Sequence, residues 1–496
     1  MPDFTNYTPP GVYVEDVSRQ VADAINPLLN DELLAIVAPA QGYVTASETV
    51  TLSSTTPTVL VNTGVVQDSS LVVATAGGTV LVKDTDYSVA VDSTNPDAPT
   101  TSLLRLPSDP ATASPGGLIE GGTVVVSYHY ADATYFQPQV FSDFSTLAKV
   151  YGPGLSSDAG GDPVVSPLSL AAQIAFENGA SRVMAVAVDH KTASWKDDFK
   201  TTYDLLATDH RVSVLVPVFP ENEADTAAEM TGLLTDLRLH VDAAAANGYG
   251  RLVIAGAAGS YDDTVDPFGT VSSGVANKRI VTVFPNRYTM FNPALAKTVE
   301  VGGGYAAAAL GGILMYNDVQ RGLTRKVVNS LTGIPALISR RMTKAFKDGL
   351  AADGTLVIEI NRLNRLVVRH GITTDVSSIF NREISLVRIG DVLLQDIQVG
   401  MENAGLIGEP IDAEMSTRVK STIIGILETE VAENVIVTYD QVAVRQQALP
   451  NGDPSVIEVQ FSYKPAVPLN YITVSFALNL DTGVVSTSTD DLATTA

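Results

Sequence analysis

The sequence contains no cysteine among its 496 residues. This absence excludes disulfide frameworks, thiolate zinc sites, iron–sulfur ligation and thiol nucleophiles. Charged residues are also scarce, at 17% against about 25% in an average soluble protein, whereas hydrophobic residues make up 45%. Much of the molecular surface must therefore be uncharged.

Basic residues are fewer than acidic ones: 31 Lys and Arg stand against 55 Asp and Glu, a net charge of −24. The resulting negative field disfavours nucleic-acid phosphate as a partner. Long apolar runs are missing as well. The longest nearly uncharged stretch, 305–316, has 12 residues, whereas a membrane helix needs about 20. We therefore expect no nucleic-acid partner and no membrane insertion.

The first residues lack the basic segment and apolar segment of a secretory signal, so we expect synthesis in the cytoplasm. The mean hydropathy is +0.17 despite the absence of a membrane span. Apolar surface must then be buried elsewhere, and interfaces between subunits are the obvious place. Extensive self-assembly is the first functional hypothesis.

The length predicts two to four domains, at about 100 to 200 residues each. Residues 1–32 are interpreted as an extended N-terminal arm with one alternating strand, GVYVEDV, after Pro9 and Pro10. The run LLAIVA at 33–38 is typical of a strand buried on both faces. We assign 33–43 to the same domain as 135–347.

Residues 44–134 are rich in Thr, Ser, Val and Gly, with short alternating runs separated by turn residues. This pattern predicts an inserted β-sandwich domain. Its positively charged candidates, Lys83, Arg105 and His129, do not cluster. A catalytic site is therefore not expected in the insertion.

From 135 to 347, buried-type strands alternate with helical patterns, which predicts an α/β domain with a mostly parallel sheet. The predicted strands are 182–188, 212–218, 251–255 and 279–284, and the predicted helices are 195–207, 224–246 and 298–316.

Residues 348–464 predict an α+β C-terminal domain. Its predicted strands are 355–360, 366–369, 434–444 and 455–463, and its predicted helices are 384–403 and 412–431. Residues 465–496 are interpreted as a C-terminal arm that contains one alternating strand, 471–478. The last residues, 482–496, are too polar to pack and are expected to be disordered.

The sequence contains few patterns that could support catalysis or bind a metal. The five histidines show no HExxH spacing, and Asp189 and His190 point to opposite sides of an extended chain. No G-x-S-x-G elbow occurs to support a triad with His370. No Walker P-loop is present. The G-x-G-x-x-A match at Gly302 lacks the acidic residue that a dinucleotide fold needs, so its small residues are better explained by close helix packing. We expect no enzyme activity, no metal and no cofactor.

The segment 321–388 has 12 basic residues against 5 acidic ones, a local balance of +7, which leaves −31 for the rest of the chain. This asymmetry favours contact between the basic segment and acidic surfaces of neighbours. A solvated face with internal salt bridges is an equally good interpretation. The candidate tube- or neighbour-facing residues are Arg340, Arg341, Lys344, Lys347, Arg362, Arg365 and Arg369.

Several segments resemble one family, the contractile tail sheath proteins of bacteriophages and related injection machines. The N-terminal TPPGVYVE at 8–15 is similar to the family's opening T-P-G-V-Y-V-E, with one proline added. In the middle, GGYAA at 303–307, LTRK at 323–326 and LTGI at 331–334 are similar to its glycine-rich helix and L-T-x-K segment. Towards the end, the matching segments are GITT at 371–374, RIGD at 388–391 and, most specifically, KPAVPLNYI at 464–472.

This resemblance implies a subtilisin-like α/β domain without protease activity. It implies subunits that stack as rings, usually of six, around a tail tube. A baseplate trigger would start a contraction that drives the tube through the host envelope. The implied partners are copies of the chain, the tail tube protein, and baseplate and tail terminator proteins. The implied location is the contractile tail of a virion that is assembled in the host cytoplasm.

The resemblance also gives the two arms a role, because the arms in this family add strands to sheets of neighbouring subunits, a form of β-augmentation. The residues expected to form these strands are Val12, Tyr13 and Val14 in the N-terminal arm, and Tyr471, Ile472, Val474, Phe476 and Leu478 in the C-terminal arm.

Three other interpretations stay open. A phage-derived bacteriocin or an extracellular contractile injection system would use the same kind of subunit. A hydrolase relative would depend on His190 or His370. A surface-layer protein or adhesin would explain the Thr-rich insertion and the acidity, but would need a signal peptide.

Overall fold

The structure is a computed structural model with side chains. It describes residues 14–15, 24–25, 32–40, 44–63, 65, 71–92, 100–130, 135–157, 163–188, 194–220, 224–247, 250–264, 267–293, 295–447, 453–471, 477–478 and 485–486.

The strands are, in chain order, β1 (Val14–Glu15), β2 (Ala24–Ile25), β3 (Leu33–Ala38), β4 (Val44–Leu52), β5 (Thr58–Val59), β6 (Val72–Thr75), β7 (Tyr87–Asp92), β8 (Thr100–Arg105), β9 (Gly122–Tyr130), β10 (Gln139–Phe141), β11 (Leu155–Ser157), β12 (Pro163–Val165), β13 (Val183–Ala187), β14 (Val212–Pro217), β15 (Leu252–Gly256), β16 (Ile280–Phe284), β17 (Arg287–Asn292), β18 (Lys297–Gly302), β19 (Thr355–Ile360), β20 (Leu366–Val368), β21 (Ile436–Tyr439), β22 (Ala443–Gln446), β23 (Ile457–Gln460), β24 (Tyr463–Pro465), β25 (Ala477–Leu478) and β26 (Val485–Ser486).

The helices are α1 (Phe144–Tyr151), α2 (Pro167–Glu177), α3 (Trp195–Asp204), α4 (Ala227–Ala246), α5 (Phe268–Val275), α6 (Gly303–Tyr316), α7 (Ala336–Arg341), α8 (Lys344–Ala352), α9 (Ile379–Arg382), α10 (Ile384–Asn403) and α11 (Met415–Ala432).

An eight-stranded sheet forms the centre of the molecule, in the order β10-β13-β3-β14-β15-β16-β19-β20. The six inner strands are parallel, and the edge strands β10 and β20 are antiparallel to their neighbours. All residues of β3, β13, β15 and β16 are buried, as their continuous apolar sequences require for strands covered on both faces. The predicted mostly parallel sheet is confirmed.

Helices cover both faces of this sheet, because side chains along each strand alternate between faces. Leu34 and Ile36 of β3 join a core that includes residues of α2 and α6. Leu33, Ala35 and Val37 join a second core, with residues of α3, α4 and α5. The result is a three-layer α/β/α arrangement.

The predicted helix over 298–316 is wrong in its first part, where the chain forms β18 and pairs with β17 in a hairpin. In β18, Val299 and Val301 are buried whereas Thr298 and Glu300 are exposed, the alternation of a half-buried strand. The helix α6 starts only at Gly303. A Cβ atom on Gly256 would lie 2.0 Å from the Gly303 carbonyl carbon, and one on Gly312 would lie 2.3 Å from the Ala175 carbonyl oxygen. The glycines therefore permit close packing, as predicted.

The segment 44–130 forms two three-stranded antiparallel sheets, β4-β9-β6 and β5-β8-β7. Leu52 and Val126 from the first sheet and Leu103 and Tyr87 from the second share one core. Arg105 is fully buried and donates to the carbonyl oxygens of Pro107 (2.8 Å), Leu118 (3.3 Å) and Thr112. This arginine holds the loop over 107–118 against the core rather than serving a surface site.

In the C-terminal part, α10 and α11 pack together with β21 to β24 around a separate core. The strands β19 and β20, however, belong to the central sheet, since β19 pairs with β16 and β20 with β19. The predicted division at 347/348 thus separates these two strands from the sheet to which they are hydrogen-bonded. The predicted strand over 434–444 is interrupted between β21 and β22, where the Asp440 amide donates 2.8 Å to the Ser462 carbonyl oxygen.

Candidate assembly surfaces

The histidines considered for catalysis serve as packing and hydrogen-bonding groups where they are described. His370 Nε2 lies 2.5 Å from Glu383 Oε1, and its ring contacts the edge of Tyr471. His240 Nε2 lies 3.1 Å from Arg251 Nη1, and burial, together with Arg251, lowers the pKa of His240 to about 4. Asp189 and His190 lie outside the described residues.

The described part of the chain contains no group of three or more metal-binding side chains that could hold an ion. None of its helices is long and apolar enough to cross a membrane.

The basic segment divides into two classes of side chain. Four candidates form ion pairs within the chain: Arg341 with Asp263 (3.0 Å), Lys344 with Asp348 (2.7 Å), Lys347 with Glu359 (2.5 Å) and Arg369 with both Glu359 (3.1 Å) and Asp348. Burial opposes the ionisation of Glu359, but Lys347 and Arg369 hold its pKa below the usual value. For these four residues, the interpretation as internal salt bridges describes the structure better than a role at a partner surface.

Arg340, Arg362 and Arg365 form the second class. All three are exposed, and none has an ion-pair partner among the described residues. Arg340 lies in α7, and the other two flank Leu363 in the turn between β19 and β20. These three remain available to a neighbouring molecule.

In the N-terminal arm, the structure describes residues 14–15, 24–25 and 32. Val14 of β1 lies opposite Ile25 of β2 in a short antiparallel pair within the chain. Val12 and Tyr13 lie outside the described residues. Their role in a strand between subunits stays a prediction.

The C-terminal arm begins in an extended segment whose side chains alternate. Val467, Leu469 and Tyr471 are exposed by 54%, 77% and 75%. Pro468 packs over Gly322, and Asn470 Nδ2 donates 3.1 Å to Glu383 Oε1. We call this segment, 466–471, the root of the arm. Its exposed side chains form an apolar stripe that faces away from the folded domains.

Beyond this root, Ile472, Val474 and Phe476 lie outside the described residues. Leu478 belongs to β25 and is paired with Val485 of β26. The assignment of these residues to a strand between subunits also stays a prediction.

The anchoring of the root by Glu383 was not predicted. Glu383 is buried and receives both His370 and Asn470. Glu383 and Asn470 are 87 positions apart in the sequence, and no local sequence pattern predicts a contact between them. Only the resemblance to a family distinguishes the segment KPAVPLNYI at 464–472.

A pair of carboxyl groups lies between α10 and α11, and it too was missed. Asp396 of α10 lies close enough to Glu430 of α11 for its charge to act on it, and Glu430 is buried. Burial, followed by the charge of Asp396, raises the pKa of Glu430 to about 8. Burial also raises the pKa of Asp396, with Glu433 and Glu32 contributing in the same direction. Glu430 therefore keeps its proton at neutral pH.

This pair predicts that the packing of α10 against α11 weakens as the pH rises. The unfolded chain releases the Glu430 proton near its ordinary value of 4.5, whereas the folded chain keeps it to about 8. The stabilisation is fully present below pH 4.5 and is lost as the pH rises to about 8, with a slope of at most about 1.4 kcal/mol per pH unit. Hydrogen–deuterium exchange in α11, corrected for intrinsic rates, should be faster at pH 8.5 than at pH 6.

The E430Q variant should abolish this difference, because an amide side chain is uncharged at every pH. The control E428Q changes an exposed residue of the same helix and should retain the wild-type pH dependence. Equal pH dependence in E430Q and the wild type would contradict a raised pKa of Glu430.

Comparison with known proteins shows which family the chain belongs to. No family model matches the sequence. The tail sheath protein of Mycobacterium phage Bxz1 is 30% identical over 433 residues, which cover 86% of this chain and 71% of that protein. The chain belongs to the tail sheath protein family. The predicted family resemblance is thus confirmed.

Solved structures show that the fold of this sheath protein is shared more widely. A chain of the anti-feeding prophage baseplate superposes with a TM-score of 0.53 at 15% identity, covering 70% of this chain and 89% of that chain. A chain of the contracted helical sheath of the same particle gives 0.53 at 16% identity, covering 69% and 88%. The contracted sheath complex of an extracellular contractile injection system, PVC, gives 0.50 at 13% identity, covering 70% and 87%.

Proposed function

We propose that this sheath protein polymerises as stacked, hexameric rings around a tail tube and contracts on a baseplate trigger to drive the tube through a host envelope. The observation that carries the proposal is membership of the tail sheath family. The exposed stripe of Val467, Leu469 and Tyr471 supports it, because exposed apolar side chains on an extended segment favour pairing with another chain. Delivery of a phage genome would follow from contraction.

The work of contraction would come from subunit contacts and not from bound fuel. Folded bodies would repack against each other while the arms keep neighbouring subunits connected. We assign the protein no enzyme activity and no cofactor. The closely packed α/β/α body would move as a unit, in keeping with the buried glycine contacts of α6.

The domain organisation that we propose has an N-terminal arm at 1–32 and a subtilisin-like α/β domain without protease activity, made of 33–43 and about 135–369. A β-sandwich at 44–134 is inserted into it, supported by the two facing sheets with one core. The C-terminal α+β domain then ends near 464, and a C-terminal arm follows. Because β19 and β20 pair within the central sheet, the α/β domain extends to about 369.

The proposed partners are other copies of the chain, the tail tube protein, and baseplate and tail terminator proteins. Nucleic acid and membrane insertion are not part of the proposal, in keeping with the net charge of −24. The proposed location is the tail of a virion, after assembly in the host cytoplasm.

A sheath in a bacteriocin or an extracellular contractile injection system is the alternative. The fold shared with the anti-feeding prophage and PVC particles favours it. The mycobacteriophage relative favours a phage tail, and its sequence identity is twice that of the solved chain from the prophage baseplate.

Negative-stain electron microscopy of the purified protein, over a range of protein and salt concentrations, tests the proposal. Hollow tubes or stacked rings are the expected result. If uniform monomers are seen, purified tail tube protein should be added as a nucleus. Monomers under both conditions would contradict the proposed function.

A further inference from the structure

We propose that the turn between β19 and β20 binds the acidic connection between α10 and α11 of a neighbouring copy of the chain. The basic turn is defined here as residues 361–365, and the acidic connection as residues 402–414. The inference rests on the proposed function, because it names a contact within the polymer.

The basic turn is a rigid projection. The Asn361 side chain accepts the Leu363 amide (2.9 Å) and the Arg365 amide (3.0 Å), and the Asn361 amide donates 2.9 Å to the Arg365 carbonyl oxygen. Asn364 has a φ of +56°, which asparagine tolerates better than most residues. A turn fixed by its own hydrogen bonds loses little conformational freedom when it binds.

The tip of this turn presents an apolar side chain between two cations. Leu363 is 72% exposed, and Arg362 and Arg365 are exposed without an ion pair in the described part of the chain. The nearby carboxylate of Glu359 is already bound by Lys347, Arg369 and Arg325. Among the described residues, the two arginines therefore have no acidic partner that is not already engaged by other cations.

The acidic connection has the same pattern with the opposite charge. Ile407 is 47% exposed, and the exposed Glu409 and Glu414 have no cationic partner among the described residues. Residues 402–414 contain four acidic residues and no basic one. The connection is ordered locally: the Glu409 amide donates 3.3 Å to the Leu406 carbonyl oxygen, and the Glu414 amide donates 3.0 Å to Asp412 Oδ1.

A contact between two different patches of one chain is heterologous, so it propagates from copy to copy as a ring or a helix. That is the symmetry a sheath needs. The basic segment is also the region of positive balance on a chain that is otherwise strongly negative. Its attraction to an acidic patch on a neighbour would orient subunits that repel each other elsewhere.

Charge reversal tests the contact under the condition in which the wild type forms sheath. The double variants R362E/R365E and E409K/E414K should each raise the protein concentration needed for assembly about tenfold, the effect of losing one to two exposed charge pairs and gaining repulsion. The combination of all four substitutions should return it to within about threefold of the wild-type value. Sedimentation and electron microscopy give the readout.

The control K149E/K200E makes the same change in net charge as R362E/R365E, at exposed lysines on α1 and α3, and should assemble like the wild type. Unaltered assembly of R362E/R365E would overturn the inference. So would a failure of the four-residue variant to recover, since the basic turn would then face another surface, such as the tube. Both outcomes leave the proposed function intact, because the wild type tests it separately.

Discussion

A chain truncated after Tyr471 is expected to remain a folded monomer and to form no sheath. The described hydrophobic clusters extend no further along the chain than Tyr463, so the truncation removes none of their side chains. The anchoring contact of Asn470 with Glu383 is also retained. Loss of the arm would remove the main-chain hydrogen bonds that link neighbouring subunits by β-augmentation.

The measurement is electron microscopy and analytical sedimentation of the truncated and full-length chains at matched concentrations. We expect no tubes at concentrations at least about a hundredfold above the wild-type threshold, since a lost strand contact removes several kcal/mol per subunit. Circular dichroism should show a folded protein. Normal tubes from the truncated chain would contradict a linking role for this arm.

Substitutions on the two faces of the predicted strand provide a matched pair. I472S, V474S and F476S together change the face that is expected to set the register, whereas T473A and S475A change the opposite face. The first set should prevent assembly and the second should permit it. Equal behaviour of the two sets would indicate that strand register is not what the arm supplies.

The sequence was sufficient to predict the central elements because their signal is local. The apolar run LLAIVA becomes β3 with the predicted ends, and the predicted helix over 384–403 is α10. Strands buried on both faces carry uninterrupted apolar residues, and long amphipathic helices carry a regular period, so neither depends on distant context.

Sequence reasoning failed where the outcome depends on contacts between distant residues. The sequence predicts a helix over β18 because the helical pattern of α6 follows it directly. The segment forms a strand instead, because it pairs with β17. The sequence analysis assigns β19 to the C-terminal domain, whereas β19 pairs with β16 of the central sheet. The sequence of a strand does not show which sheet the strand joins. The candidate basic residues were chosen by charge, and only the structure distinguishes Lys347, which is paired with Glu359, from Arg362, which is not.

The same limit explains why the buried polar contacts were missed. Glu383 reaches Asn470 across 87 positions, and Glu430 meets Asp396 only because α10 and α11 are antiparallel neighbours with a shared core. A carboxylate in a helix normally predicts an exposed face. Its burial becomes evident only when the opposing helix is known.

The G312A variant is expected to destabilise the α/β body strongly, whereas G232A should stabilise it slightly. Both glycines lie inside helices, α6 and α4, so alanine gains the same helix propensity of at most about 1 kcal/mol at each position. At Gly232 a Cβ atom meets nothing within 4 Å. At Gly312 it would lie 2.3 Å from the Ala175 carbonyl oxygen in α2, a backbone atom that cannot rotate away.

The new methyl group must therefore separate α6 from α2, and overpacking of this kind costs about 1–3 kcal/mol or more. Urea unfolding can be followed by the fluorescence of Trp195, the single tryptophan, which packs against Phe199 and Phe219 on the opposite face of the sheet. The midpoint should fall for G312A and stay level or rise for G232A. Because the two variants share the propensity term, their difference isolates the cost of the helix contact, and equal midpoints would show that α6 and α2 do not pack as closely as their glycines imply.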